Sequence, residues 1–163
     1  MTVRVEDDDK KLEQLFKELE YLSSHVILVG VLADDKADTD DEVTVKDYAI
    51  WLEFGDREYN VHYPPRPFFR EATQTEEARD KIEDKMEEEL QQVIDLKKTA
   101  KQAMDAVGTY VQGLVQESIL DGDWADNAPA TIAIKGKNQP LIQTTTLLKS
   151  IDYEIKKRSE LQT

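Results

Sequence analysis

The stretch "SSHVILVGVLA", Ser23 to Ala33, contains the longest apolar run of the chain, "VILVGVLA" from Val26 to Ala33. It is β-branched and continuous, so it reads as a buried strand from about His25 to Leu32. At eight residues it is far below the ~20 needed to cross a bilayer. The segment before it, "DDDKKLEQLFKELEYL", opens on three aspartates, which favour a helix N-terminus. Leu12, Leu15, Phe16, Leu19 and Leu22 then recur at steps of three and four, which predicts an amphipathic helix over about 8–23. A partner for the strand lies at the other end of the chain, in "TTTLLKSIDYEIKK". A threonine-started helical turn there leads into a closing strand in which Ile151, Tyr153 and Ile155 alternate. Leu141, Leu147, Ile151 and Tyr153 are expected to pack against the strand of Val26 to Leu32.

Between these ends, "VTVKDYAIWLEFG" predicts a helix from about Val45 to Phe54 with Gly55 as its C-cap. "DREYNVHYPP" suits an edge strand or hairpin arm, because its closing prolines cannot donate ladder hydrogen bonds. From Thr75 to about Leu120 runs one long helical stripe that includes Ala78, Ile82, Met86, Leu90, Val93, Met104, Val107, Val111 and Leu114. One straight helix of that length would reach roughly 65–70 Å, so a bend is expected near Gly108 and Gly113. "DGDWADNAPATIAIKGKNQP" reads as a long loop. The fold class implied is α+β: a small β-sheet packed on a long central helix plus shorter helices. Residues 1–163 are read as one domain with an acidic N-terminal helix and a flexible polar tail from about 157 to 163.

The net charge of −14 argues against a nucleic-acid grip, since phosphate binding rests on Lys and Arg releasing counterions. There is no cysteine for a disulfide or thiolate metal site, and "MTVRVEDDDKK" lacks the apolar core of a secretory signal. Synthesis in a cytoplasm and no membrane attachment are therefore expected.

No catalytic motif emerges. His25 and His62 lack the helical spacing of a zinc pair, and "KGK" at Lys135 to Lys137 lacks the spaced glycines of a phosphate loop. The acidic run Asp34 to Glu42 has no glycine, and the twelfth position counted from Asp34 is Val45, where a calcium loop needs glutamate. The chain is read as non-enzymatic, without metal or cofactor.

"HYPPRPFFREA", His62 to Ala72, holds three of the five prolines and two adjacent phenylalanines. Pro64, Pro65 and Pro67 fix φ and press the residues before them into extended geometry. Phe68 and Phe69 must bury their rings, in this domain's own core or against a neighbour. Arg66 and Arg70 offer planar donors to carboxylates.

Three pieces in order, "YAIWLEFG" at Tyr48 to Gly55, "PPRPFFREA" at Pro64 to Ala72 and "WADNAPATIAIKGKNQPLIQTTTLLKSIDYEI" at Trp124 to Ile155, resemble a bacteriophage neck family. These are the tail-completion or head-tail joining proteins, also called minor tail components or virion morphogenesis proteins. The sequence departs from that pattern at Thr145, where the family has glycine, and at Pro65, where alanine is common. The resemblance implies a structural virion protein made in the bacterial cytoplasm. It would form a homo-oligomeric ring, six copies favoured over twelve, that completes the tail and joins it to the head. Its partners would be head-closure or connector proteins and tail-terminator or tail-tube proteins, with DNA passing through unbound. The nearest competing roles are a tail terminator, a non-viral helical adaptor and an acidic DNA mimic.

On this reading Arg66, Pro67, Phe68, Phe69 and Arg70 form an assembly interface, with Arg66 paired to a carboxylate. A passage for DNA must not hold phosphates, so acidic groups are expected to face it. The candidates are Glu76, Asp80, Glu83 and Glu87 on the long helix, and Asp34, Asp35, Asp40 and Asp41 in the acidic run.

Overall fold

The computed structural model describes residues 5–32, 43–55, 64–129, 132–133, 136, 141 and 146–161. The acidic run Asp34 to Glu42, the arm from Asp56 to Tyr63 with His62, and Thr145 lie outside the described residues.

The described chain is α+β, with six α-helices and a two-stranded antiparallel sheet. In chain order these are α1 (Val5–Ser24), β1 (His25–Val31), α2 (Val45–Phe54), α3 (Phe68–Thr73), α4 (Glu76–Ile94), α5 (Ala100–Asp121), α6 (Thr146–Ser150) and β2 (Ile151–Lys157). A 3₁₀ turn, Arg158–Leu161, comes after β2, where the polar sequence predicts a frayed tail. The chain forms two compact units: Met1–Leu28, Asp80–Tyr110 and Tyr153–Thr163 make one, and Val29–Arg79 with Val111–Asp152 the other.

β1 pairs with β2, as the apolar patterns of both segments anticipate. Every residue of β1 is only half-buried, however, although a continuous apolar run reads as a strand covered on both faces. Its one described strand neighbour is β2, so less of it is covered than in a central strand of a larger sheet.

The second unit holds the main core. Val45, Ala49 and Leu52 of α2, Phe68 and Ala72 of α3, and Val115 and Ile119 of α5 meet Leu141, Leu147 and Ile151 there. Val31 packs against this cluster from β1. The side-chain amides of Gln112 and Gln116 donate to the carbonyls of Ile151 and Leu148, tying α5 to the start of β2 and to α6. α2 begins with a reciprocal cap in which Asp47 N–H donates to Thr44 Oγ1, while Thr44 N–H and O–H donate to the Asp47 carboxylate. It ends at Gly55, whose φ of 75° suits a residue without Cβ.

In the first unit the long helix is two helices, and the break falls at Asp95–Thr99, not at the glycines. Leu96 takes a φ of 55°. Its N–H donates to Val93 O at 2.9 Å and the Lys97 N–H to Gln92 O at 2.9 Å, which is the Schellman pattern that closes a helix. Thr99 then caps α5: the Gln102 N–H donates to Thr99 Oγ1 and the Thr99 N–H to Gln102 Oε1. From α1, the Glu18 carboxylate accepts from the Ala100 N–H at 2.6 Å, satisfying another free donor of α5. Lys98 in the turn bonds Glu89, which is 2% exposed, and Lys85 bonds the same carboxylate one helical turn earlier. The Lys98 hydrogen bond is the main reason the Glu89 carboxyl sits below the usual carboxylate range. Burial opposes that effect and Lys85 reinforces it.

Gly108 and Gly113 both lie inside an unbroken α5. Gly108 is a packing site, because a Cβ there would fall 2.7 Å from Tyr153 Cγ on β2. Around Gly113 nothing among the described residues lies within 4 Å of such a Cβ.

These contacts set opposite expectations for the two glycines. Gly113→Ala should raise stability by up to about 1 kcal/mol through helix propensity. Gly108→Ala should lower it by about 1–3 kcal/mol through overpacking, and a Tyr153→Ala background should reverse that sign. Thermal melts of the single and double variants check this pair. For Glu89, a carboxyl with a lowered folded pKa adds stability above its ordinary value of 4.5, which is lost as pH falls through the folded value. The stability gap between wild type and Glu89→Gln should therefore be widest near neutral pH and close on acidification below 4.5, as denaturant melts at several pH values would record.

Candidate functional site

The elbow is a turn that leads into a short helix. The Arg66 N–H donates to Leu52 O at 2.6 Å, anchoring the segment to α2. Pro67 sits at φ −76° and ψ 56°, and the Phe68 N–H donates to Arg66 O at 2.7 Å. This is an inverse γ-turn centred on proline, whose locked φ matches it. α3 starts at once, with the Glu71 N–H donating to Pro67 O.

Glu53 organises the first turn of α3. Its carboxylate is nearly buried and accepts from the Phe69 N–H at 2.9 Å, the Arg70 N–H at 3.2 Å and Arg70 Nε at 2.8 Å. Two orphan donors of that turn are thus satisfied by a charge carried on α2. The Glu53 carbonyl accepts from Arg70 Nη2 as well, and the Arg70 guanidinium stands 5.0 Å from the centre of the Phe54 ring.

Arg66 and Phe68, expected at an assembly interface, are internal, at 3% and 2% exposed. Phe68 fills this unit's own core. The Arg66 guanidinium donates to the carbonyls of Ala125 and Asp126 at 3.0 and 3.1 Å and approaches Asn127 Oδ1 at 3.5 Å, holding the segment after α5. Both residues are therefore engaged inside the chain, whereas Pro67, Phe69 and Arg70 are half-buried and Phe54 beside Arg70 is exposed. Sequence reasoning missed Glu53 and the Ala125–Asn127 segment as elbow partners. Their distance along the chain hides them, although "WLEFG", "PRPFF" and "WADN" all belong to the three motifs of the neck-family resemblance.

Glu76, Asp80, Glu83 and Glu87 are all exposed and, at steps of four, three and four, share one face of α4. His25 stacks on Tyr21 with ring centres 3.8 Å apart, and its Nδ1 lies 2.9 Å from Tyr21 O. Among the described residues no group of three or more acidic or histidine side chains is placed to hold a metal ion. No described helix is long and apolar enough to cross a membrane.

Large apolar side chains stay exposed in rows at helical spacing: Leu12, Phe16 and Leu19 on α1, Ile50 and Phe54 on α2, and Met86, Leu90 and Ile94 on α4. Comparison with protein-family models, curated proteins and solved structures gives no match for this chain.

Removing the Phe68 ring should cost about 3–5 kcal/mol of stability in Phe68→Ala, as for other buried phenylalanines. Glu53→Gln should cost about 1–3 kcal/mol, because it withdraws the charge from bonds that hold α3 on α2. Urea unfolding of each variant measures both. An unchanged midpoint for Glu53→Gln would mean that the carboxylate does not hold the elbow.

Proposed function

We propose that this chain is a structural protein of a tailed bacteriophage that assembles as a ring at the head-tail junction, without catalytic activity. It completes the tail, joins it to the head and leaves a passage for DNA. Support comes from the ordered motifs that resemble the neck family and from their physical use. The elbow, the end of α2 and the segment after α5 are bonded into one rigid corner. The net charge of −14 suits a passage that DNA crosses without being held.

The observation that carries the assembly reading is Phe54, which is 63% exposed beside Ile50 at 54% and under the guanidinium of Arg70. A large aromatic ring left in water next to an arginine fixed by Glu53 is the composition favoured at the centre of protein interfaces. A ring needs such a patch to meet a different patch on the next copy, with a rotation that closes.

Native mass measurement tests the reading. A ring is expected at six times the chain mass of 18.7 kDa, with twelve copies as the other closed solution. A dimer or trimer would favour a helical adaptor, and a monomer at every concentration would favour an acidic mimic. Ile50→Ser together with Phe54→Ser should leave the helical circular dichroism unchanged and reduce the mass to that of smaller species. A ring that survives both changes would place the interface elsewhere.

A further inference from the structure

The acidic face of α4 carries more than charge. At 3.6 residues per turn, Met86, Leu90 and Ile94 share a sector of about 120° with Asp80, Glu83 and Glu87. All six side chains are exposed, the apolar three at 53%, 41% and 45%. The neighbouring sector, with Glu89 and Val93, is the buried one. None of Asp80, Glu83 and Glu87 is ion-paired among the described residues. Of the helix's other cations, Lys85 is turned to Glu88 and Glu89 and Lys81 lies about 100° round from Asp80, outside the sector, so Arg79 is the cation at its N-terminal edge.

A channel lining would need the carboxylates but not the row of methionine, leucine and isoleucine beside them. A merely solvated face would not need that row either. A protein contact uses both: the apolar row supplies burial, and the carboxylates select the partner's charge and orientation. We infer that this face of α4 is a docking surface for a basic amphipathic helix of another protein. The partner would present apolar residues at steps of three and four, flanked by Lys or Arg, over about four turns, the length of the sector from Asp80 to Ile94.

Local charge selects against the apolar row on α1 of a second copy as the occupant. The exposed row on α1, Leu12, Phe16 and Leu19, is itself bordered by Asp9, Glu13 and Glu20, so laying it on α4 would set carboxylates against carboxylates. Docking on this face does not depend on ring formation, which the mass measurement decides separately.

The test uses the full chain and three labelled synthetic helical peptides of about fifteen residues, the span of four turns. The first has a leucine row flanked by lysines, the second the same composition scrambled so that the row is lost, and the third glutamates in place of lysines. Fluorescence anisotropy should give binding of the first at least ~10-fold tighter than the second, a difference of about 1.4 kcal/mol. The third should not bind. Leu90→Ser with Ile94→Ser should weaken the first peptide at least ~10-fold, against the same constant. Glu83→Lys with Glu87→Lys should exchange preference from the first peptide to the third. All four positions are exposed, and unchanged melting curves would confirm that the variants fold. Equal binding of the first two peptides, or unchanged binding by the site variants, would reduce the effect to bulk charge and overturn the inference. Hydrogen-exchange protection of Asp80–Ile94 that grows with protein concentration alone would overturn it in favour of a second copy.

Discussion

A carboxylate sits at the junction where this chain changes direction. Glu53 is nearly buried at the end of α2, and a buried charge is costly unless it is paired and hydrogen-bonded. Its partners are the first free N–H groups of α3 and the side chain of Arg70. That requirement explains why α3 begins where it does, directly after a proline-centred γ-turn, and why Phe68 enters the core while Arg70 stays at the surface over Phe54. Arg66 closes the other side of the corner by holding the carbonyls just beyond α5. The elbow is rigid because two opposite charges, one acid and one base, are each satisfied within it.

The first unit obeys the same rule in a different place. Glu89 is buried on α4 and satisfied by Lys85 and by Lys98, the second of which lies beyond the helix break. The turn between α4 and α5 is thereby held from both ends: a Schellman closure before it, and the Thr99 cap with Glu18 of α1 after it. Leu96 occupies the left-handed position that glycine usually fills. Such a conformation costs a residue with a Cβ roughly 1–2 kcal/mol, and these surrounding bonds are what offset it.

The surface combines strong acidity with rows of exposed apolar side chains on three helices. Acidity alone keeps a chain apart from nucleic acid and from its own copies. Apolar rows alone invite association. The Arg70 guanidinium stands beside exposed Phe54 of α2, and on α4 the carboxylates of Asp80, Glu83 and Glu87 border the apolar row.

Much of the local structure was legible in the sequence because local rules produce it. The bounds of α2 and its Gly55 cap, the strand from His25, the turn of α6 and the strand that follows it all come from apolar period and cap chemistry within a few residues, although burial in β2 does not alternate past Tyr153. The break in the long helix was written there too, as a Thr99–Gln102 capping box, but the left-handed residue before it is a leucine, and glycine drew attention to the wrong positions. Tertiary structure alone decided which polar groups meet. Glu53 finds Arg70 seventeen residues on, and Arg66 finds Ala125 fifty-nine residues on. It also decided that Gly108 makes room for the ring of Tyr153, and which apolar residues remain in water. The physical reason is range: period and caps act over one or two turns, whereas burial and the satisfaction of a buried charge depend on segments that come together only when the chain has folded.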